Sequence, residues 1–170
     1  MEARFSAMDR MTALRCDRTM TELLDTLRSP VLLAATVSAG LQAGTYYTWA
    51  CGVMPGLAKV DDRTFTSSMN HMNVAIVNPV FMLTFLGTPL LAGVAVATSS
   101  GPARGWAIAG LVCAVGTLAV TIAGNVPLND ALAAGGSRVD FESAWVRWNV
   151  VRAVTSTAAL AALAWAALRS

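Results

Sequence analysis

Apolar residues gather into four long runs, at about residues 31–53, 74–97, 106–124 and 148–168, each bounded by short polar stretches. A bilayer core of about 30 Å needs roughly 20 helical residues at about 1.5 Å of rise each, and every run meets that length. None has a charge near its centre, where Arg, Lys or Asp would cost about 2.5–3.5 kcal/mol. The pattern predicts an all-α integral membrane protein, a four-helix transmembrane bundle filling residues 30–170 as one domain. Residues 1–29 are different. Arg4, Arg10, Arg15, Arg18 and Arg28 alternate there with Glu2, Asp9, Asp17, Glu22 and Asp25, which reads as a polar N-terminal tail, disordered or loosely helical. It lacks the early apolar core and small-residue cleavage site of a signal peptide, and Met20 is a second candidate start just before the first run.

Within the runs, the polar positions are periodic. Ser38, Gln42, Thr45 and Trp49 follow a 4-3-4 spacing, and so do Trp145, Asn149, Arg152 and Ser156, which puts each set on one helix face. Hydrocarbon leaves such groups unsatisfied, so both stripes are expected to point into the bundle. For Gln42 and Thr45, interhelical hydrogen bonding accounts for the pattern as well as a site does. Arg152 is either an interfacial arginine reaching outward or a buried one needing a partner such as Asp130 or Asp140. "GLQAG" (Gly40–Gly44), with Ala35, Ala39 and Ala43 beside it, marks a face suited to close helix packing.

Prolines and asparagines punctuate the runs. Pro79 removes a backbone donor and frees the carbonyl of Ala75, predicting a kink, and Asn78 is placed to satisfy the freed group. "DDRTF" supplies N-cap residues Asp61 and Asp62, so a short interfacial helix is expected to run into the second span. In "NVPLNDAL", Asn125 follows Gly124 at the end of the third run, and Pro127 is expected to stop the helix. Turn chemistry leaves Asn129 and Asp130 unexplained.

An even number of spans puts both termini and "TSSGPARG" on one membrane face, and the two remaining loops on the other. The second face collects Trp49, His71, Asn73, Asn78, Asn125, Asn129, Asp130, Asn149 and Arg152. Basic residues near the span ends, together with the basic flank of the first span, favour a plasma membrane of bacterial type with both termini cytoplasmic.

Composition agrees with the membrane reading. Only 13% of the 170 residues are charged, against about 25% in soluble domains. The net charge of +2 comes without a basic cluster, which argues against a nucleic-acid partner. Cys16, Cys51 and Cys113 are too scattered for a disulfide framework or zinc site. His71, the single histidine, cannot build a multi-histidine metal centre. A soft copper site would need Met69, Met72 and Cys51 as well, so no metal is expected. His71 serves either as a proton acceptor near neutral pH or as an interfacial residue bonded to loop backbone.

Four segments, "GTYYTWACGVMPGLAKVDDRTF", "MNHMNVAIVNPVF", "NVPLNDAL" and "WVRWNVVR", together resemble the DUF1772 membrane proteins, the anthrone oxygenase family. The resemblance covers about residues 40–155. It implies a four-helix membrane protein and, for members acting in polyketide pathways, O2-dependent oxidation of an anthrone to an anthraquinone without flavin, haem or added metal. The matching positions are Met54, Pro55, Gly56, Asn73, Asn78, Pro79, Asn125, Pro127, Asn129, Trp145, Asn149 and Arg152. His71 falls on none of them.

An anthrone carries an acidic methylene, and loss of its proton gives an electron-rich enolate able to reduce O2 directly. A site for that chemistry needs a flat apolar slot and donors for the oxyanion. Arg152, Asn129, Asn149, Asn73 and His71 are the candidate catalytic residues. Trp49, Tyr46, Gln42, Asn78, Asn125, Asp130 and Trp145 are the candidate substrate-binding ones. The expected partners are an apolar aromatic small molecule, O2 and the lipid bilayer, with no cofactor. The competing reading is a non-enzymatic membrane protein that binds a small molecule or serves as an accessory subunit. An ion-coupled transporter is disfavoured, because no acidic residue lies in mid-membrane and no internal repeat is evident.

Overall fold

A computed structural model describes the backbone from residue 2 onward and side chains from residue 19 onward, except those of Thr21 and Asp25. The arginines at 4, 10, 15 and 18 therefore lie outside the described side chains. The chain is all-helical: α1 (Glu2–Thr48), α2 (Met54–Leu57), α3 (Asp62–Ile76), α4 (Pro79–Thr98), α5 (Gly101–Val120), α6 (Val126–Ala133) and α7 (Arg138–Leu168). Two π-helical turns, Trp49–Val53 and Thr121–Asn125, join α1 to α2 and α5 to α6.

Three continuous stretches among the described residues are long and apolar enough to cross a membrane: Pro79–Thr98, Gly101–Ala133 and Arg138–Leu168. The apolar segment of α1 is not among them. Its Ser38, Gln42, Thr45 and two tyrosines dilute the hydropathy that Leu32, Leu33 and Val37 supply.

Hydroxyls and amides join α1 to α4. Ser38 Oγ lies 2.7 Å from Thr88 Oγ1, and Gln42 Nε2 donates to Thr84 Oγ1 at 2.7 Å. Arg28 Nε donates to the carbonyl of Thr98, tying α1 to the α4–α5 connection. Between these bonds, Ala35, Ala39, Ala92 and Leu163 close the core. The close-packing face of α1 is thus alanine rather than glycine: a Cβ at Gly44 would meet nothing within 4 Å. Glycine permits close approach elsewhere, at Gly110 of α5, where a Cβ would lie 2.7 Å from Leu163 Cγ of α7, and at Gly124, where it would lie 2.8 Å from the Trp148 ring.

The second and third apolar runs depart from expectation at their prolines. The helix before Pro79 is broken rather than kinked. Val77 ends α3, and Asn78 caps α4, accepting from the amides of Val80 and Phe81 at 3.0 Å each. Its Nδ2 donates to the carbonyl of Ala75 at 2.9 Å, serving the group that Pro79 leaves without a donor.

Pro127 does not end the third span. The helical path runs on to Ala133 because the turn before Pro127 is widened, with Val126 N–H donating to Thr121 O, five residues back. Pro55 stands in the same relation to Trp49–Val53, where Met54 N–H donates to Trp49 O. An α-helical register would set each proline ring against the carbonyl four residues earlier, and one extra residue in the preceding turn relieves this. The shared Gly-x-x-Pro, "GVMP" and "GNVP", is a local repeat.

At this end of the bundle the connections fold into an apolar cap of Met54, Phe65, Met69, Leu132, Phe141 and Trp145. α7, at about 1.5 Å per residue, is longer than the bilayer core, and its first turns belong to this cap. Arg138 holds the cap together. Its guanidinium donates to the carbonyls of Leu57, Ala58 and Val60 and pairs with Asp62 and Glu142. It also lies 4.3 Å from the centroid of the Phe65 ring.

Candidate functional site

Beneath the cap, beside the first residue of each π turn, lies a cavity of about 270 Å³. Ligand pockets run from about 300 Å³ upward, so this one suits a small ligand. Trp49 opens the first π turn and Thr121 opens the second, and both side chains line the cavity. π turns re-aim helical side chains and are frequent at functional sites. Ile76, Phe81, Met82 and Phe85 form the apolar side, from α3 and α4.

The polar side is built around Arg152 of α7. Its side chain is nearly buried, with 7% exposure. Nη2 donates to Asn149 Oδ1 at 2.9 Å, while Asn149 Nδ2 donates to the backbone carbonyl of Tyr46 at 3.1 Å. Guanidinium only donates and a carbonyl only accepts, so both ends of the Asn149 amide are committed. The guanidinium carbon also sits over the Tyr46 and Trp145 rings, 4.6 and 5.1 Å from their centroids. Tyr46 is held by its hydroxyl, which donates to Gln42 Oε1 at 2.8 Å.

Among the described residues no salt bridge reaches Arg152. Asp130 is exposed, and Asp140 is engaged in the α7 N-cap with Ser137. Burying an ion costs several kcal/mol. Two rings, at about 0.5–2 kcal/mol each, and one charge-assisted hydrogen bond, at about 1.5–3 kcal/mol, leave the charge only partly compensated.

Donors outnumber acceptors on this wall. Trp145 Nε1 donates to Asn129 Oδ1 at 2.8 Å. Because an indole N–H can only donate, this fixes the Asn129 carbonyl on Trp145 and leaves its NH2 group facing elsewhere. Asn73 Nδ2 and Arg152 Nε are buried without an acceptor. A ligand that satisfies this wall brings oxygen acceptors or a negative charge.

A family model described as "Anthrone oxygenase" matches residues 69–162, more than half of the chain. The chain belongs to the anthrone oxygenase family. No curated protein and no solved structure matches it. The matched region contains Asn73, Asn129, Trp145, Asn149 and Arg152. Tyr46 and Trp49, which complete the wall of this anthrone oxygenase family chain, stand on its N-terminal side.

Six of the candidate catalytic and substrate-binding residues line the cavity, Tyr46, Trp49, Asn73, Asn129, Trp145 and Arg152, and so does Thr45 of the first polar stripe. Asn149 and Gln42 stand behind them, on Arg152 and on Tyr46. Asn125 is buried, and its Nδ2 donates to the carbonyl of Trp145 at 3.3 Å, bracing α6 against α7. Asn78 is spent on the α3–α4 break. His71 is exposed, its Nδ1 2.7 Å from the carbonyl of Ser67 on its own helix, and it does not line the cavity. Among the described residues no group of three His, Cys, Asp or Glu converges as metal ligands would. Thr121, Phe81, Met82 and Phe85 are wall residues that the spacing arguments missed. The repeated Gly-x-x-Pro was the signal for Thr121, since it marks the turn that aims that side chain inward.

Proposed function

We propose that this anthrone oxygenase family protein is a membrane-embedded oxygenase that oxidises a flat polycyclic aromatic substrate with O2, without flavin, haem or metal. The observation that carries this reading is Arg152: a buried cation without a carboxylate partner among the described residues, on the wall of a largely aromatic and aliphatic cavity whose other polar side chains, Thr45, Asn73, Thr121 and Asn129, are uncharged. A neutral apolar ligand leaves that cation undercompensated, whereas an aromatic enolate satisfies it. The Phe81 and Phe85 side of the cavity takes the rings. Arg152, Asn73 and Asn129 receive the oxygen on which negative charge develops, a preorganised arrangement of the oxyanion-hole type.

The reaction closes on substrate and O2 alone. Loss of one methylene proton gives the enolate. The enolate passes one electron to O2, and recombination of the two radicals forms a C–O bond to a peroxide. Loss of the second C–H proton with cleavage of the O–O bond leaves a ketone and water. The methylene carbon is oxidised by four electrons and O2 is reduced by four. The wall holds no carboxylate and no imidazole, so its part is to lower the cost of the anion while the proton leaves to water at the membrane surface.

Membranes containing the protein are expected to take up O2 when supplied with anthrone, one O2 per anthraquinone formed, and Arg152→Ala is expected to remove most of that rate. A rate equal to that of empty membranes refutes the proposal. The missing general base also favours a second reading, in which the cavity binds such a ligand without chemistry. Saturable anthraquinone binding with no O2 uptake is its signature.

Placement in the membrane is part of the proposal. The segment of α1 from Val31 to Thr48 serves as a fourth span: its inner face bonds α4, and Leu33, Val37 and Leu41 are exposed on its outer face. Both termini lie on the cytoplasmic side of a plasma membrane, with Arg28, Arg104 and Arg169 at that end. A reporter fused after Ala134 is expected to read the opposite side.

A further inference from the structure

Of the α1 glycines, Gly40 faces Leu160 of α7, where a Cβ would lie 3.6 Å from Cδ1, whereas Gly44 faces no neighbour. Together with Leu41, Thr45, Thr48 and Trp49, Gly40 and Gly44 line an open groove of about 500 Å³ on the outer face of that helix. Thr45 and Trp49 line the internal cavity as well, so the groove and the cavity share a threshold. A Cβ at Gly44 would meet nothing within 4 Å, so the space beside the helix is free. Behind the threshold, Arg152 is more than nine-tenths buried, with Nε lacking an acceptor.

We infer that the glycine groove of α1 is the lateral entrance by which a bilayer-dissolved aromatic ligand reaches the cavity. The cap of Met54, Phe65, Met69 and Phe141, with the Arg138 clamp, covers the end of the bundle next to the cavity with packed apolar side chains. With α1 as the proposed fourth span, the groove instead faces hydrocarbon, where a flat apolar molecule concentrates. Two missing side chains on adjacent turns give it width, and Thr45 and Trp49 offer the first polar and aromatic contacts on the way in. The inference rests on the cavity accepting an apolar ligand, not on that ligand being oxidised.

The test reads access directly and needs no turnover. In a variant with Cys16, Cys51 and Cys113 replaced by serine, Met82→Cys places one thiol on the cavity wall, away from the polar residues. In proteoliposomes, membrane-dissolved N-pyrenylmaleimide is expected to label this thiol at least tenfold faster than a sulfonated, water-restricted maleimide. Adding Gly44→Phe, whose Cβ would meet nothing within 4 Å, puts a ring into the groove and is expected to slow pyrenylmaleimide labelling about tenfold. Gly93→Phe, on α4 and equally open, is expected to leave it unchanged.

Equal labelling with and without Gly44→Phe overturns the inference, as does faster labelling by the sulfonated reagent. A Gly44→Phe effect confined to the oligomeric state, with labelling unaltered, assigns the groove to a second copy of the chain and also overturns it. Normal labelling behaviour with no O2 uptake leaves the entrance standing and removes only the oxygenase chemistry.

Discussion

Asn149→Asp separates the charge of Arg152 from its position. The substitution is isosteric and places a carboxylate oxygen where Asn149 Oδ1 now accepts from Arg152 Nη2 at 2.9 Å. An ion pair at about 4 Å between charge centres is worth about 4 kcal/mol at an effective dielectric of about 20, so the guanidinium acquires the counter-ion it lacks. Against that gain, burying the new carboxylate costs several kcal/mol, and the variant loses the bond from Asn149 Nδ2 to the carbonyl of Tyr46, about 0.5–1.5 kcal/mol, so the terms nearly cancel. Stability is expected to stay within about 2 kcal/mol of the parent.

Catalysis is a different matter. If the cavity works by holding positive charge against an enolate, a neutralised arginine behaves like a missing oxyanion donor, whose loss costs about 10²–10³-fold in rate. The assay is O2 uptake against anthrone concentration in proteoliposomes, with thermal unfolding in detergent and anthraquinone binding measured alongside. Anthraquinone is uncharged and is expected to bind with unchanged affinity. A kcat/KM within threefold of the parent refutes the argument from charge. A matching loss of anthraquinone affinity refutes it too, because the carboxylate would then have damaged shape rather than electrostatics.

Gly124→Ala would set a Cβ 2.8 Å from two atoms of the rigid Trp148 indole. Overpacking of this kind costs about 1–3 kcal/mol, partly offset by the roughly 0.5–1 kcal/mol gained by replacing a helical glycine. Detergent unfolding is expected to show a net loss that Trp148→Ala relieves, and additive effects in the double variant would count against the contact. Asp61 caps α3 by accepting from the amide and hydroxyl of Thr64, and these bonds, led by the hydroxyl, hold its carboxyl below the usual Asp range. A lowered folded-state pKa means stabilisation present above the unfolded value, about 3.9, and lost as pH falls through the folded one. Hydrogen exchange at Thr64 and Phe65 is expected to accelerate below about pH 4 in the parent and to vary less in Asp61→Asn, whose amide caps without titrating.

Periodicity explains which parts of this arrangement could be read from the chain. The stripe Trp145–Asn149–Arg152 lies inward because a 4-3 spacing leaves one helix face only, and hydrocarbon forbids the other orientation. Placing the two loops on one membrane face was enough to bring Asn73 and Asn129 to the same end as that stripe. What resisted was the partnering of individual groups. Asn78 and Asn73 are five residues apart and alike in type, yet one caps a helix and the other faces a cavity, because Pro79 leaves a carbonyl that only its neighbour can reach. His71 is the single histidine, but its own helix offers the Ser67 carbonyl one turn away. Phe81 and Phe85 belong to an apolar run whose lipid-facing and inward residues have the same chemistry. At Pro127 the residue type alone cannot say whether a helix stops at a proline or widens to pass it.

The two widened turns also bear on how related sequences are to be aligned. Each is one residue longer than the helical path it replaces, and a helix advances about 100° per residue. Deleting one residue from Thr121–Asn125 would swing α6 by that angle and carry Asn129 off Trp145, although nearly every amino acid would be retained. A one-residue gap there is therefore a change of binding site rather than ordinary loop variation. Relatives that preserve the spacing from Gly124 to Asn129 are the ones in which this cavity wall should be sought.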